Sequence, residues 1–191
     1  MVPVLLPPAA VLLNPEKERK ANAVNDKLIS DIMRGMIAYS DGNLHDIAHF
    51  MKVYAFAHTI GIGENLTDTE RETLEIAAIL HDIACPLCRE KYGNTNGKHQ
   101  EEEGGPLTEA FLESFDLPEE MAKRVIYLVS HHHTYTDVDG RDYQILLEAD
   151  FLVNADEGGM PMDAIQSARE RIFKTDTGTT LLDEIYLKER S

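Results

Sequence analysis

The residues in this sequence most suited to chemistry are its histidines, because several of them fall on apolar helical faces. Residues three or four apart share one face of an α-helix. By this spacing His49 shares a face with Val53, and His81 shares one with Leu74, Ala77 and Ala78. The full set is His45, His49, His58, His81, His99, His131, His132 and His133.

Two later segments repeat the pattern. A helix is predicted over 119–133, with Val125, Leu128 and Val129 on its apolar face. The same spacing places His132 and His133 on this face, whereas His131 points away. A following helix carries Asp150 on its apolar face. An imidazole or carboxylate without a partner is costly to bury. Four helices that turn such groups inward therefore predict a site for a divalent transition metal, which binds neutral imidazoles and carboxylates.

The elements that position these residues are predicted to be helices throughout. Leu28, Ile32 and Met36 begin a helical pattern from about Asn25, and Thr67 with Glu70 forms a capping box. Residues 85–104 are polar and contain glycine, which predicts a long functional loop. The predicted helices cover 25–37, 44–60, 67–81, 106–115, 119–133, 143–153, 162–173 and 181–187.

Strand alternation is scarce, so the predicted fold is all-α: a compact helical bundle with the metal site between its helices. We expect one domain over 25–165, an N-terminal extension over 1–24 and a C-terminal helical extension over 166–191. The apolar start of the chain has no basic segment, and Pro7-Pro8 interrupts it. We expect it to pack on the body of the protein or, in a homodimer, on a partner subunit.

The order of these residues resembles the HD superfamily of metal-dependent phosphohydrolases, which is named for a paired His-Asp. The resemblance covers about residues 45–155. It is carried by His49-x-x-Lys52-Val53, by Ala78-Ile79-Leu80-His81-Asp82-Ile83-Ala84 and by Ala149-Asp150. Between the His-Asp pair and Asp150 the sequence has further histidines, at positions 99 and 131–133. In this respect it resembles the members of the superfamily that bind two metals.

The resemblance implies an HD-domain fold and a ligand set. His49, His81, Asp82 and Asp150 would hold a first ion, with Asp82 also reaching a second and acting as the catalytic residue. His132 and His133, helped by His99, would hold the second ion. The implied cofactors are one or two divalent ions (Fe, Mn, Zn, Co, Ni or Mg). The implied reaction is attack of a metal-activated hydroxide on a phosphate ester.

Substrate-binding residues are less clearly indicated. Many members have a lysine soon after the His-Asp pair, but here Ile83, Ala84 and Cys85 follow it. Arg89, Lys91 and Lys98 are candidates to replace it, or are solvated charges; of these we favour Lys91. Lys52 either binds phosphate or pairs with a carboxylate.

Two assignments stay open at this point. His131, Glu101 or Glu103 could replace one of the histidines of the second group, His99 above all. Cys85 and Cys88 form a C-x-x-C pair, which would suit redox chemistry or half a zinc site. No second cysteine pair or thioredoxin-like context accompanies them, so we interpret them as small residues closing a helix.

Charge limits the partners. The 191-residue chain has 34 acidic and 18 basic residues, a formal net charge of −16 that repels nucleic-acid backbone and anionic membrane. That charge serves solubility, or gathers carboxylates around cations. No apolar stretch is long enough to span a bilayer, and two cysteines suit a reducing compartment, so we expect a cytoplasmic protein.

Three functions fit these observations. The leading one is a phosphohydrolase that cleaves a small phosphorylated metabolite or nucleotide. A di-iron oxygenase of the same fold would use a similar ligand set. A non-catalytic binding or regulatory module would hold the metal as a structural element. Metal identity, oxygen dependence and turnover distinguish the three.

Overall fold

The computed structural model describes the backbone of residues 15–188 and the side chains of residues 26–188. Regular structure in this part is helical, without strands, which confirms the predicted all-α class. None of the described helices is long and apolar enough to cross a bilayer. The elements are α1 (Pro15–Tyr39), α2 (Leu44–Gly63), α3 (Asp68–Leu80), α4 (Cys85–Tyr92), α5 (Gly97–Leu112), α6 (Glu119–Val129), α7 (Arg141–Glu157), α8 (Met162–Arg171), α9 (Asp176–Leu182) and a π-helical turn (Asp183–Leu187).

Helix α3 is the centre of the bundle. Every residue from Thr73 to Leu80 is buried, because α1, α2, α6 and α7 all pack against this helix. Its start is fixed locally by the predicted capping box. The Glu70 carboxylate accepts from the Thr67 backbone N–H at 2.8 Å, and the Thr67 hydroxyl accepts from the Glu70 N–H at 3.3 Å. The segment that leads into His81 is therefore held rigidly inside the protein.

Helix α1 begins at Pro15, ten residues before the predicted start. Residues 16–20 are charged helix formers without apolar periodicity, so the pattern of buried positions could not reveal this first part. Most of the predicted extension over 1–24 lies outside the described residues. The boundaries of the predicted domain, 25 and 165, stay predictions; α8 spans the second of them.

The prediction of a loop over 85–104 is wrong, because most of this segment forms α4 and the start of α5. Gly104, and Gly105 directly after the segment, permit close packing of helices instead of marking a loop. A Cβ on Gly104 would lie 3.0 Å from Val129 Cγ1, and one on Gly105 would lie 2.5 Å from Ser130 Oγ. Of the glycines in this segment, Gly93 alone has a positive φ (+71°), and it ends α4 in the left-handed conformation.

The prediction that a helix continues to residue 133 is also wrong. Helix α6 ends at Val129, and residues 131–133 form a turn. The buried Tyr143 hydroxyl lies 2.6 Å from the His131 carbonyl oxygen and 2.7 Å from that of Thr134. This contact from α7 holds the turn, and sequence periodicity does not register such a contact.

Candidate metal centre

One group of potential ligands joins α2, the turn after α3, and α7. It consists of His49, His81 and Asp150, all buried. The Nε2 atoms of His49 and His81 are 3.1 Å apart. Asp150 Oδ1 lies 3.3 Å from His49 Nε2 and 3.5 Å from His81 Nε2. Three ligand atoms from three elements thus converge on one point.

A second group adjoins the first and consists of Asp82, His132 and His133. Asp82 Oδ1 lies 3.6 Å from His132 Nε2. The other oxygen, Oδ2, faces the first group, at 3.5 Å from His49 Nε2 and 3.7 Å from His81 Nε2. Asp82 therefore stands between the groups with one carboxylate oxygen turned toward each.

The imidazoles are oriented by hydrogen bonds at their Nδ1 atoms. His81 Nδ1 donates to the Ala78 carbonyl oxygen and His132 Nδ1 to that of Val129, each at 2.8 Å. His49 Nδ1 donates to the Glu157 carboxylate at 2.8 Å. Because carbonyl and carboxylate oxygens only accept, the proton of each neutral ring lies on Nδ1 and its Nε2 lone pair faces inward. Metal-binding histidines are typically held in this way.

These groups fit a cation. In the neutral forms that bind a metal, both rings carry their proton on Nδ1, and the Nε2 lone pairs of His49 and His81 then face each other and two carboxylates. The Nε2 atoms of His132 and His133 are buried and have no hydrogen-bond partner among the described residues. Buried polar atoms are normally satisfied. A divalent ion would satisfy all four nitrogens, and the donor set of imidazole and carboxylate suits a transition metal.

The charges of the site agree with this reading. Burial by itself would raise the pKa of Asp82 and of Asp150, but the neighbouring imidazoles lower both below the usual range. Burial would lower the pKa of His49, but Asp150 and Asp82 raise it to about 9, so near pH 7 the ring carries a second proton that a bound divalent ion would displace. For His133, burial and the neighbouring His132 lower the pKa to about 4. The carboxylates are thus ionised, and His133 is a neutral imidazole near pH 7.

The comparison with known protein families agrees with this geometry. The family model described as "HD domain" matches residues 44–172, which is more than half of the chain. The chain belongs to the HD domain family. The predicted family is thereby confirmed, and with it the assignment to a superfamily of metal-dependent phosphohydrolases that bind divalent metals. No curated protein matches the chain.

Not every predicted ligand of the HD domain joins the two groups. His99 lies outside both; its ring stacks on Tyr92 with a centroid distance of 3.9 Å. Glu101 instead supports the second group, since its carboxylate accepts from the backbone N–H of His133 at 3.0 Å and from the Thr134 hydroxyl at 2.9 Å. His131 also lies outside the groups, with Nδ1 donating to the Tyr127 carbonyl oxygen at 2.7 Å.

The predicted substrate-binding lysines are both engaged by carboxylates. Lys91 Nζ lies 2.6 Å from Glu103 Oε1, on an exposed surface. Lys52 Nζ lies 3.0 Å from Glu157 Oε1, so Lys52 pairs with a carboxylate in this structure. Neither lysine lines the cavity that opens on the metal ligands.

Sequence reasoning missed the residues that orient the ligands. Glu157 holds His49, and Asn154 Nδ2 donates to Asp150 Oδ1 at 2.8 Å. The sequence spacing could have predicted both residues, because Asn154 and Glu157 follow Asp150 by four and seven residues and so share its face of α7. Gly97 was also missed: a Cβ there would lie 2.7 Å from Cγ of His133. No local pattern marks that contact.

Proposed function

We propose that this protein is a metal-dependent phosphohydrolase that cleaves a small phosphate ester or nucleotide. The observation that carries the proposal is the position of Asp82, whose two oxygens face two adjacent ligand groups. Such a carboxylate suits a pair of ions that share one ligand. Membership of the HD domain family, which consists mostly of metal-dependent hydrolases, supports the same reading.

The residues divide into those that would hold ions and those that orient them. His49, His81 and Asp150 would hold one ion, His132 and His133 the other, and Asp82 both. A bound divalent ion lowers the pKa of its water toward neutrality and so supplies a hydroxide that can attack phosphorus. Glu157, Asn154 and Glu101 would keep the ligands in place. No separate protein nucleophile is needed.

The cavity indicates a small substrate. It has a volume of about 360 Å³, and its lining includes His49, Asp82, His133 and Asp150. A volume in this range suits a small molecule. A net charge of −16 disfavours long nucleic acid and anionic membrane surfaces as partners. Cys85 and Cys88 are both unpaired, which suits a reducing compartment, and we propose a cytoplasmic location.

The test begins with metal content. The protein is purified without chelator, bound metals are counted by elemental mass spectrometry, and phosphomonoesters and nucleotides are screened with and without oxygen. His81→Ala and His133→Ala should each lose metal and activity. His131→Ala is the matched control, because His131 lies in the same turn but outside both ligand groups, and it should retain two ions per chain.

Each outcome has one meaning. Two ions per chain with oxygen-independent phosphate release would support the dinuclear hydrolase. One ion that His133→Ala leaves unchanged would restrict the site to the first group and Asp82. Turnover that requires both iron and oxygen would assign an oxygenase instead. Metal binding without turnover of any tested ester would favour a non-catalytic binding or regulatory module, and absence of metal under all loading conditions would refute the proposal.

A further inference from the structure

The cavity over the metal ligands is strongly acidic on its protein side. Four carboxylates line it: Asp46, Asp82, Asp150 and Glu157. Among the described lining residues, Arg89 alone carries a permanently positive side chain. A phosphorylated ligand entering here would meet repulsion from these carboxylates unless positive groups offset it. Bound ions would offset part of this repulsion at the base of the cavity, and Arg89 is the protein's own positive group at its wall.

We infer that Arg89 binds the phosphate group of the ligand, an inference that rests on the proposed function of the site. The residue lies on α4, four residues after Cys85, which lines the same cavity. The two side chains thus share one helical face. Asp82 precedes Cys85 by only three residues, so a single short segment carries both a metal ligand and the cavity's arginine.

Arg89 is held in place from across the cavity. Its Nη2 donates to Asp46 Oδ2, and Asp46 lies on α2 three residues before the metal ligand His49. This ion pair joins α4 to α2 beside the site. Fixing the side chain in advance lowers the entropy lost when a ligand binds. The guanidinium of Arg89 is thereby directed to the cavity before any substrate arrives.

Most of the guanidinium remains available for a ligand. The group has five N–H donors, and its only side-chain hydrogen bond within the described part of the chain uses Nη2 and one oxygen of Asp46. Its side chain is 40% exposed. A planar guanidinium can donate two parallel hydrogen bonds to phosphate oxygens. Arg89 can therefore bind phosphate without releasing Asp46.

The neighbouring cations are poorer candidates for the same role. Lys91 lies on the same helix but pairs with Glu103 outside the cavity lining. Lys98, 79% exposed, lies 3.7 Å from Glu102. Lys52 is engaged by Glu157. Arg89 thus differs from these three lysines, because it alone among them lines the cavity.

The test measures binding of inorganic phosphate to the metal-loaded protein by isothermal titration calorimetry. Arg89→Ala should weaken phosphate binding by about 10-fold or more, because charge-assisted hydrogen bonds are lost, and bound metal should stay unchanged. Arg89→Lys should give an intermediate loss, since it keeps the charge but not the paired donors. Lys91→Ala, on the same helix, is the matched control and should bind phosphate as the wild type does.

A double variant removes the main ambiguity. Arg89→Ala leaves Asp46 unpaired, and its charge alone could repel phosphate. If the donors of Arg89 matter, Arg89→Ala combined with Asp46→Asn should still bind phosphate more weakly than the wild type. Wild-type affinity in the double variant or in Arg89→Ala would overturn the inference, as would failure of the metal-loaded wild type to bind phosphate at millimolar concentration.

Steady-state kinetics separate this inference from the proposed function. If p-nitrophenyl phosphate is cleaved and Arg89→Ala leaves KM and phosphate inhibition unchanged, the hydrolase stands and the role of Arg89 is refuted. If no ester is cleaved but phosphate binding depends on Arg89, the anion site stands and the hydrolase is refuted. Thermal unfolding and the metal content of each variant verify that it is folded.

Discussion

Replacing Gly97 by alanine should disable the second ligand group without touching a ligand. The Cβ of an alanine would lie 2.7 Å from Cγ, 2.8 Å from Cδ2 and 2.9 Å from Cβ of His133. Ordinary contact begins near 3.4 Å, so the imidazole and its backbone must retreat by about 0.7 Å, which is the difference between these distances. Functional sites tolerate displacements of only about 0.5 Å.

The retreat of His133 is opposed on its other side. Its backbone N–H is bound by Glu101 in α5, the same helix that begins at Gly97, so the turn cannot simply move away. A metal–imidazole bond is about 2.0–2.1 Å long and has little freedom. Disturbing the support of a ligand typically costs about 10- to 100-fold in metal affinity. We expect a loss of this size at the second group and none at the first.

Equilibrium dialysis against a graded metal buffer, followed by elemental analysis, measures the two affinities. Gly61→Ala is the matched control, because a Cβ at this buried helical glycine would meet Leu66 and Leu74 at an ordinary 3.4 Å. Both variants exchange a glycine within a helix for alanine, so the general preference of helices for alanine acts in the same direction in both. If Gly97→Ala binds two ions with wild-type affinity, the reasoning about close contact is refuted.

Three further predictions concern side chains with little exposure to solvent. Glu157→Ala should weaken metal binding about 10- to 100-fold at the imidazole that Glu157 orients, whereas Lys52→Met should change it little; equal effects would contradict this role. Cys88 is fully buried and burial raises the pKa of its thiol, so it should not react with iodoacetamide at pH 8 until denaturant is added, and rapid native labelling of Cys88 would disprove the packing of α4. Glu148→Ala should lower the free energy of unfolding by about 3 kcal/mol, because this fully buried carboxylate accepts hydrogen bonds from the backbone N–H groups of residues 174 and 175. Urea denaturation measures the free energy of unfolding, and a loss of less than a third of that value would argue against this role.

The sequence was most informative where structure is decided locally. The capping box at Thr67 and Glu70 predicts the start of α3 because both hydrogen bonds close within four residues. The apolar face that leads to His81 predicts burial because helical periodicity and the hydrophobic effect act on the same stripe. The all-α class could be predicted for the same reason, whereas the family was inferred from the resemblance carried by the residues around His49, His81-Asp82 and Asp150.

Features that depend on contacts between distant segments were not predictable in this way. The glycines of α5 look like loop residues in the sequence, although they serve the approach of α5 to α6. The turn that follows Val129 receives two hydrogen bonds from the Tyr143 hydroxyl, which α7 contributes. Gly97 matters only because the fold brings His133 onto it.

The sequence by itself determined which side chains are turned into the interior, since the helical repeat and the exclusion of apolar surface from water leave few alternatives for residues such as His49, His81 and Asp150. The tertiary structure decided how these side chains are combined. It placed Asp82 between two ligand groups, left His99 stacked on Tyr92, and directed Arg89 to the cavity. The physical reason is that metal ligands and ion pairs depend on distances of about 2–4 Å between side-chain atoms or between an atom and a metal ion. Where those atoms come from different helices, packing across the whole bundle sets the distances, not the periodicity of any one helix.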